Sequence, residues 1–153
     1  MDGVTTFQAG FPLFFTAATN TSNSYNTGPL ASYLRPNVTA GCDKTVSGSE
    51  QSRINHWFNT SCFTQPASFT FGDESRTDPN LRAAGLANYD FSLFKNTAIT
   101  EGIKLQFRAE FFNLFNRVQF SYPGLAVGNP QFGIVSAQLN NPRLVQFALR
   151  LQF

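Results

Sequence analysis

Charge is scarce in this sequence. Asp, Glu, Lys and Arg make up 13% of the 153 residues, about half the share usual in soluble proteins, and a water-soluble surface normally carries more. Long apolar runs are also missing. No stretch approaches the roughly 18 residues of a membrane-crossing helix. Histidine, methionine and tryptophan each occur once, and cysteine twice. The lone His56 sits beside Trp57 in a polar stretch, whereas a metal centre needs further ligands at suitable spacing. No glycine-rich phosphate loop follows a strand pattern, and no serine lies in a nucleophile elbow. A formal net charge of +2 without a basic cluster offers nothing to nucleic acid. These absences argue against a helical anchor and a nucleic-acid binder. They predict no cofactor, no metal and no catalytic role.

What is abundant is aromatic. Aromatic residues are 15% of the chain, and 18 residues are Phe. They are interleaved with polar residues, which suits strands in a membrane wall. The final stretch, residues 143–153, shows this best. Val145, Phe147, Leu149, Leu151 and Phe153 alternate with Leu144, Gln146, Ala148, Arg150 and Gln152. A period of two means a strand with one apolar and one mostly polar face. Its length exceeds the five or six residues of a usual strand and matches the nine to eleven or so that cross a bilayer at a tilt.

Three more strands are predicted. Residues 4–17 place Phe7, Ala9, Phe11, Leu13 and Phe15 on one face, with Pro12 weakening the far half. Residues 88–97 set Tyr89, Phe91 and Leu93 against Asn88, Asp90, Ser92 and Asn96, with Phe94 as an intruder. Residues 103–113 set Ile103, Leu105, Phe107, Ala109 and Phe111 against Lys104, Gln106, Arg108 and Glu110. The Thr100-Glu101-Gly102 turn joins these last two into a hairpin. Residues 18–87 and 114–142 read as loops rich in Asn, Ser, Thr, Gly and Pro, although Ala67–Phe71 has the composition of a short strand. Connections that run long, short, long match a membrane barrel, with short periplasmic turns and long outer loops. The predicted fold is therefore all-β, made of antiparallel strands from the C-terminal end of a transmembrane β-barrel, with long extracellular loops. Lipid would face Phe91, Leu93, Leu105, Phe107, Phe111, Val145, Phe147 and Leu149. The lumen would face Asp90, Lys104, Arg108, Glu110 and Arg150. A soluble sandwich strand alternates in the same way, so a secreted β-sandwich or adhesin-like module is the competing reading.

Cys42 and Cys62 lie 20 residues apart in the polar stretch. Outside the cytoplasm such a pair oxidises, and a bridge there would contribute on the order of 3 kcal/mol by restricting the unfolded chain. Asp90 and Glu110 have the look of an acid–base pair, but opposite charges on the same face predict a lumen network instead. The Asn-x-Ser/Thr sites at Asn20, Asn37 and Asn59 mark only a polar loop. Met1–Phe7 lacks the basic start and apolar core of an export signal, which predicts that the chain is the tail of something longer.

Particular residues carry a family resemblance. Asn88-Tyr89-Asp90-Phe91-Ser92-Leu93-Phe94-Lys95-Asn96, followed by Phe107-Arg108-Ala109-Glu110-Phe111-Phe112 and Asn113-Leu114-Phe115-Asn116, resembles the end of TonB-dependent outer-membrane receptors. Trp57-Phe58-Asn59-Thr60, Asn129-Pro130-Gln131-Phe132-Gly133 and Asn141-Pro142-Arg143 are similar to the Oar-like branch, whose members often carry an N-terminal carboxypeptidase-regulatory-like domain. The ending resembles the outer-membrane assembly signal, with Gln146, Ala148, Leu151 and Phe153 in its polar, small, hydrophobic and aromatic places. Ala148 departs from the commoner Gly. The resemblance implies the cell outer membrane of a Gram-negative-type bacterium. Its implied partners are membrane lipid, the barrel-assembly machinery, the rest of a parent barrel, and TonB through N-terminal parts that this sequence does not contain.

Overall fold

The computed structural model describes residues 1–23 and 34–153. Among these residues the strands, in chain order, are β1 (Asp2–Gln8), β2 (Pro12–Leu13), β3 (Thr16–Ala17), β4 (Asn37–Val38), β5 (Phe63–Thr64), β6 (Asp78–Arg82), β7 (Leu86–Ala98), β8 (Lys104–Phe112), β9 (Ala126–Val127) and β10 (Leu144–Gln152). No helix among the described residues is long and apolar enough to cross a membrane. The chain folds into two units, treated in turn.

The first unit comprises Met1–Ala9, Gly85–Gln119 and Gln138–Phe153. Its sheet has the order β1-β7-β8-β10, antiparallel throughout. Each strand lies beside its nearest neighbour in sequence within this unit, the up-and-down pattern of a barrel wall. The β7–β8 turn is closed by the Ile99 N–H on the Ile103 carbonyl (2.9 Å) and the Ile103 N–H on the Thr100 carbonyl (3.3 Å). Both long connections leave the opposite end, where Gln8 pairs with Leu86 and Phe112 with Leu144. The strands run slightly differently from their sequence patterns: 86–98 rather than 88–97, 104–112 rather than 103–113, and 144–152 rather than 143–153.

The first predicted strand needs correction. Residues 4–17 are not one strand. The ladder stops at Gln8, and a Cβ at Gly10 would lie 1.8 Å from the Ala83 carbonyl oxygen, so the chain passes too close to Ala83 for any side chain. Pro12 then has no N–H to donate. The remaining alternation belongs to the second unit, where Leu13 and Phe15 are buried.

That second unit comprises Gly10–Ala84 and Phe120–Ala137. The stretches predicted as outer loops therefore fold around a core of their own. Paired fragments frame it: β2 with β6, β4 with β5, and β3 parallel to β9. Two 3-10 turns, Gln51–Arg53 and Thr60–Cys62, are added. Its centre is aromatic. Phe15 packs on Phe58 (5.0 Å between ring centroids) and Phe63 (4.4 Å), and Phe58 packs on Phe132 (5.1 Å). Pairs of this kind contribute about 0.5–1.5 kcal/mol beyond their burial. Trp57 is buried, its Nε1 donating to the Arg82 carbonyl (2.8 Å), and the Arg53 guanidinium lies 4.8 Å from its ring. Cys42 and Cys62 are joined by a disulfide with Cα atoms 5.6 Å apart. Ala67–Phe71 is a turn rather than a strand: the Thr70 N–H returns to the Ala67 carbonyl, and Phe69 has φ +63°.

Candidate functional site

In a ladder, paired residues share a face, so the register of the first unit sorts every side chain of the wall. Phe91 lies opposite Phe111, which lies opposite Val145. Leu93, Ala109 and Phe147 form the next row. Then come Lys95, Phe107 and Leu149, and finally Thr97, Leu105 and Leu151. The eight residues predicted to face lipid thus share one face. Exposure sharpens the point, because Phe147 is 67% and Leu149 70% exposed. Phe107 stacks on Phe147 with ring centroids 6.2 Å apart. At the end with the long connections, Phe7 meets Tyr89 edge-on (5.4 Å), and Tyr89 meets Phe115 (4.9 Å). Aromatic groups at one margin of an apolar band suit a membrane–water boundary.

The opposite face is mostly polar, with Phe94 in the row of Arg108 and Ala148, and Phe112 opposite Leu144 at one end. Asn96, Gln106 and Arg150 form one row, Ser92, Glu110 and Gln146 another, and Ala98, Lys104 and Gln152 a third. Arg108 pairs with Glu110 (3.1 Å), and the Gln106 amide donates to Asn96 (2.9 Å). Asp90 accepts from the Asn88 amide (2.9 Å) and from the Asn113 N–H (2.9 Å). Asp90 and Glu110 therefore have separate partners and form no pair with each other. The five residues predicted to face the lumen all lie on this side.

The four residues that resemble an assembly signal lie on β10 or just beyond it. Gln146 lies opposite Glu110, and Ala148 opposite Arg108. Leu151 lies on the apolar face opposite Leu105, and Phe153 follows the last paired residue, 99% exposed.

Three features escaped the sequence reading. The first is Lys95 on the apolar face. It follows Leu93 at the same parity, so the period itself pointed to it. The second is a hub of asparagines where β8 ends. Asn113 and Asn116 have φ +53° and +51°, a region Asn tolerates better than most residues. The Asn113 amide donates to the carbonyls of Arg117 (3.0 Å) and Asn141 (3.2 Å), and its oxygen accepts from the Arg117 N–H (2.8 Å). Asn116 accepts from the Arg143 N–H (2.9 Å), and the Asn140 amide donates to the Arg117 carbonyl (2.7 Å). The Asn-Leu-Phe-Asn segment thus ties the end of β8 to the approach of β10.

The third feature belongs to the second unit. Asp78 and Glu74 are buried, and Lys44 pairs with both, at 3.7 Å from Glu74 and in closer contact with Asp78. Asp78 also accepts from the N–H groups of Asn80 (2.8 Å) and Leu81 (3.3 Å). Near the disulfide, the Thr45 N–H and hydroxyl bond Asp43 and hold its carboxyl below the ordinary range. His56 is exposed in a loop. Among the described residues no group of three or more His, Cys, Asp or Glu could hold a metal ion.

This wall, apolar on one side and polar on the other, with its strands meeting in sequence order, is what a barrel crossing a membrane requires. No curated protein and no solved structure matches the chain. The sequence model of a family described as an outer membrane beta barrel domain matches residues 1–146. The chain belongs to this outer-membrane β-barrel family, and its place is the outer membrane.

Proposed function

We propose that this chain is the C-terminal wall segment of a TonB-dependent, Oar-like outer-membrane receptor or transporter. Its role is structural rather than catalytic: it supplies wall strands, the folded outer connections, and the signal read by the barrel-assembly machinery. By resemblance, the parent takes up or senses a large ligand with energy delivered through TonB. The observation that carries the reading is the open sheet ending in β10. Four strands are too few to close, since about eight is the practical minimum, and β10 pairs only with β8 among the described residues. The edge of β10 would meet another strand of the parent barrel, and Gln146, Ala148, Leu151 and Phe153 would guide that closure. The secreted sandwich gains nothing from an outer-membrane family.

An immunoblot of outer-membrane fractions with an antibody against residues 143–153 tests the proposal. The expected result is a heat-modifiable band far heavier than 16.9 kDa, weakened when Phe153 is changed to Ala. A band at 16.9 kDa in the soluble or secreted fraction would overturn it.

A further inference from the structure

The second unit contains a half-open pocket of about 630 Å3, whose described lining residues are Phe14, Phe15, Thr16, Arg35, Arg76 and Thr77. This volume lies within the range of small-molecule sites, which combine apolar walls with a few polar groups. Phe15 is buried, and Phe14 is 45% exposed.

The cations set this cavity apart. Lys44 is committed to Asp78 and Glu74. Arg53 lies over Trp57 and donates to the Val46 carbonyl. Arg82 donates to the Gly10 carbonyl (3.0 Å). The unit's other two basic residues are Arg35 and Arg76, and among the described residues neither has a hydrogen bond or an ion pair. Both line the cavity.

Their backbones are held in place. Arg35 stands between Leu34, whose carbonyl accepts from the Ala17 N–H (2.6 Å), and buried Pro36, whose carbonyl accepts from the Glu74 N–H (3.1 Å). A Cβ at Gly72 would lie 2.0 Å from the Arg35 carbonyl oxygen, so the 72–74 segment is pressed against this stretch. Arg76 is flanked by a short loop in which the Ser75 hydroxyl donates to the Thr77 carbonyl (2.7 Å). Next in sequence is Asp78, buried and paired with Lys44. Arg35 and Arg76, both exposed, thus line the same pocket as Phe14 and Phe15 on backbone that is held in place, and guanidinium groups over an apolar wall suit an anionic head on an apolar body.

We propose that this cavity binds a small soluble organic anion, an aromatic or acyl group carrying a carboxylate. The site stands on the cavity itself and is independent of the receptor reading.

The test uses the full chain in isolated outer membranes and a photoreactive probe, 4-azidobenzoate, with neutral 4-azidobenzyl alcohol beside it. After irradiation, labelled peptides are mapped by mass spectrometry. The expected adducts fall on Phe14–Thr16 and the neighbouring lining residues. Labelling there should drop roughly tenfold or more in Arg35→Gln and again in Arg76→Gln, the loss expected when a charge-assisted hydrogen bond is removed. Both substitutions are at exposed side chains, and retention of the Cys42–Cys62 bridge checks the fold. Equal labelling by the neutral analogue, unchanged labelling in the double variant, or adducts confined to the wall would each overturn the proposal.

Discussion

Leu149→Arg separates a lipid-facing wall from a water-facing sheet by the sign of its effect. Leu149 is 70% exposed and lies opposite Phe107 on the apolar face. Strand β10 runs from Leu144 to Gln152, which at about 3.4 Å per residue is roughly 27 Å along its axis. A tilt near 40° brings its height to roughly 21 Å, close to the ~25 Å apolar band of such barrels. Leu149 is one step from the strand's middle residue, Ala148, so it lies within about 3 Å of the midplane when the strand is centred. An arginine there costs about 2–4 kcal/mol, or roughly 30- to 1,000-fold in the ratio of assembled to unassembled protein. The internal control is Gln146→Arg. Gln146 lies on the polar face opposite Glu110, so a cation there meets a carboxylate and the change should be near neutral. Urea titrations in lipid vesicles, read by heat-modifiable migration, supply both numbers. If the exposed face met water instead, Leu149→Arg would shift stability by no more than about 0.5 kcal/mol. Equal responses from the two variants would refute the assignment of faces.

Other expectations concern single contacts. Lys44→Ala leaves Asp78 and Glu74 without their cation, and breaking a buried pair in this way costs on the order of 3–5 kcal/mol; protease sensitivity of the 10–84 segment should rise, and an unchanged digestion pattern would count against the ion pair. Replacing Cys42 and Cys62 together by Ser should lower stability by about 3 kcal/mol, monitored through Trp57 fluorescence, while heat-modifiable migration of the wall persists. Asn113→Ala loses the hydrogen bonds to Arg117 and Asn141 and forces a side chain without Asn's tolerance into φ +53°; a loss of about 1–3 kcal/mol is expected. Asn113→Gly accepts that φ but forfeits the bonds, so it should fall between wild type and Ala in the same urea titration.

The parts of the fold visible in the sequence are those governed by period. β7, β8 and β10 alternate because one face is apolar and the other polar, and their faces follow from parity alone. Parity said nothing about where the first alternating stretch breaks, because Phe7 and Phe15 carry the same signal. What divides them is the close passage of Gly10 against Ala83, a contact between residues far apart in sequence. The same limit hid the second unit. Its core is assembled from Leu13, Phe15, Trp57, Phe63, Leu81, Val127 and Val135, drawn from separate segments whose strands are mostly two residues long. No period can form over two residues. Turn-rich composition was therefore read as loop, although Phe15, Trp57, Phe58 and Phe63 are buried there. The Lys44–Asp78 pair escaped for a similar reason, since nothing in the spacing between Lys44 and Asp78 marks them as neighbours.

The edges of the wall set a demand that does not depend on substrate or family. Among the described residues β10 pairs only with β8 and β1 only with β7, so these two strands are the edges of the sheet. In an antiparallel ladder alternate residues direct both N–H and C=O to the same neighbour, so about half of the nine residues of β10 point these groups outward. In hydrocarbon each unsatisfied group costs several kcal/mol. Their sum exceeds the 5–15 kcal/mol that holds a typical domain folded. The apolar face calls for lipid, and the strand edges will not tolerate it. On the proposed reading both conditions are met when further strands join the sheet at β10 and at β1. Amide exchange offers a direct check: in assembled protein the outward N–H groups of β10 should be as protected as those facing β8. Rapid exchange confined to the outward set would mean that the edge is open to water, and the wall would then need a different solvent on that side.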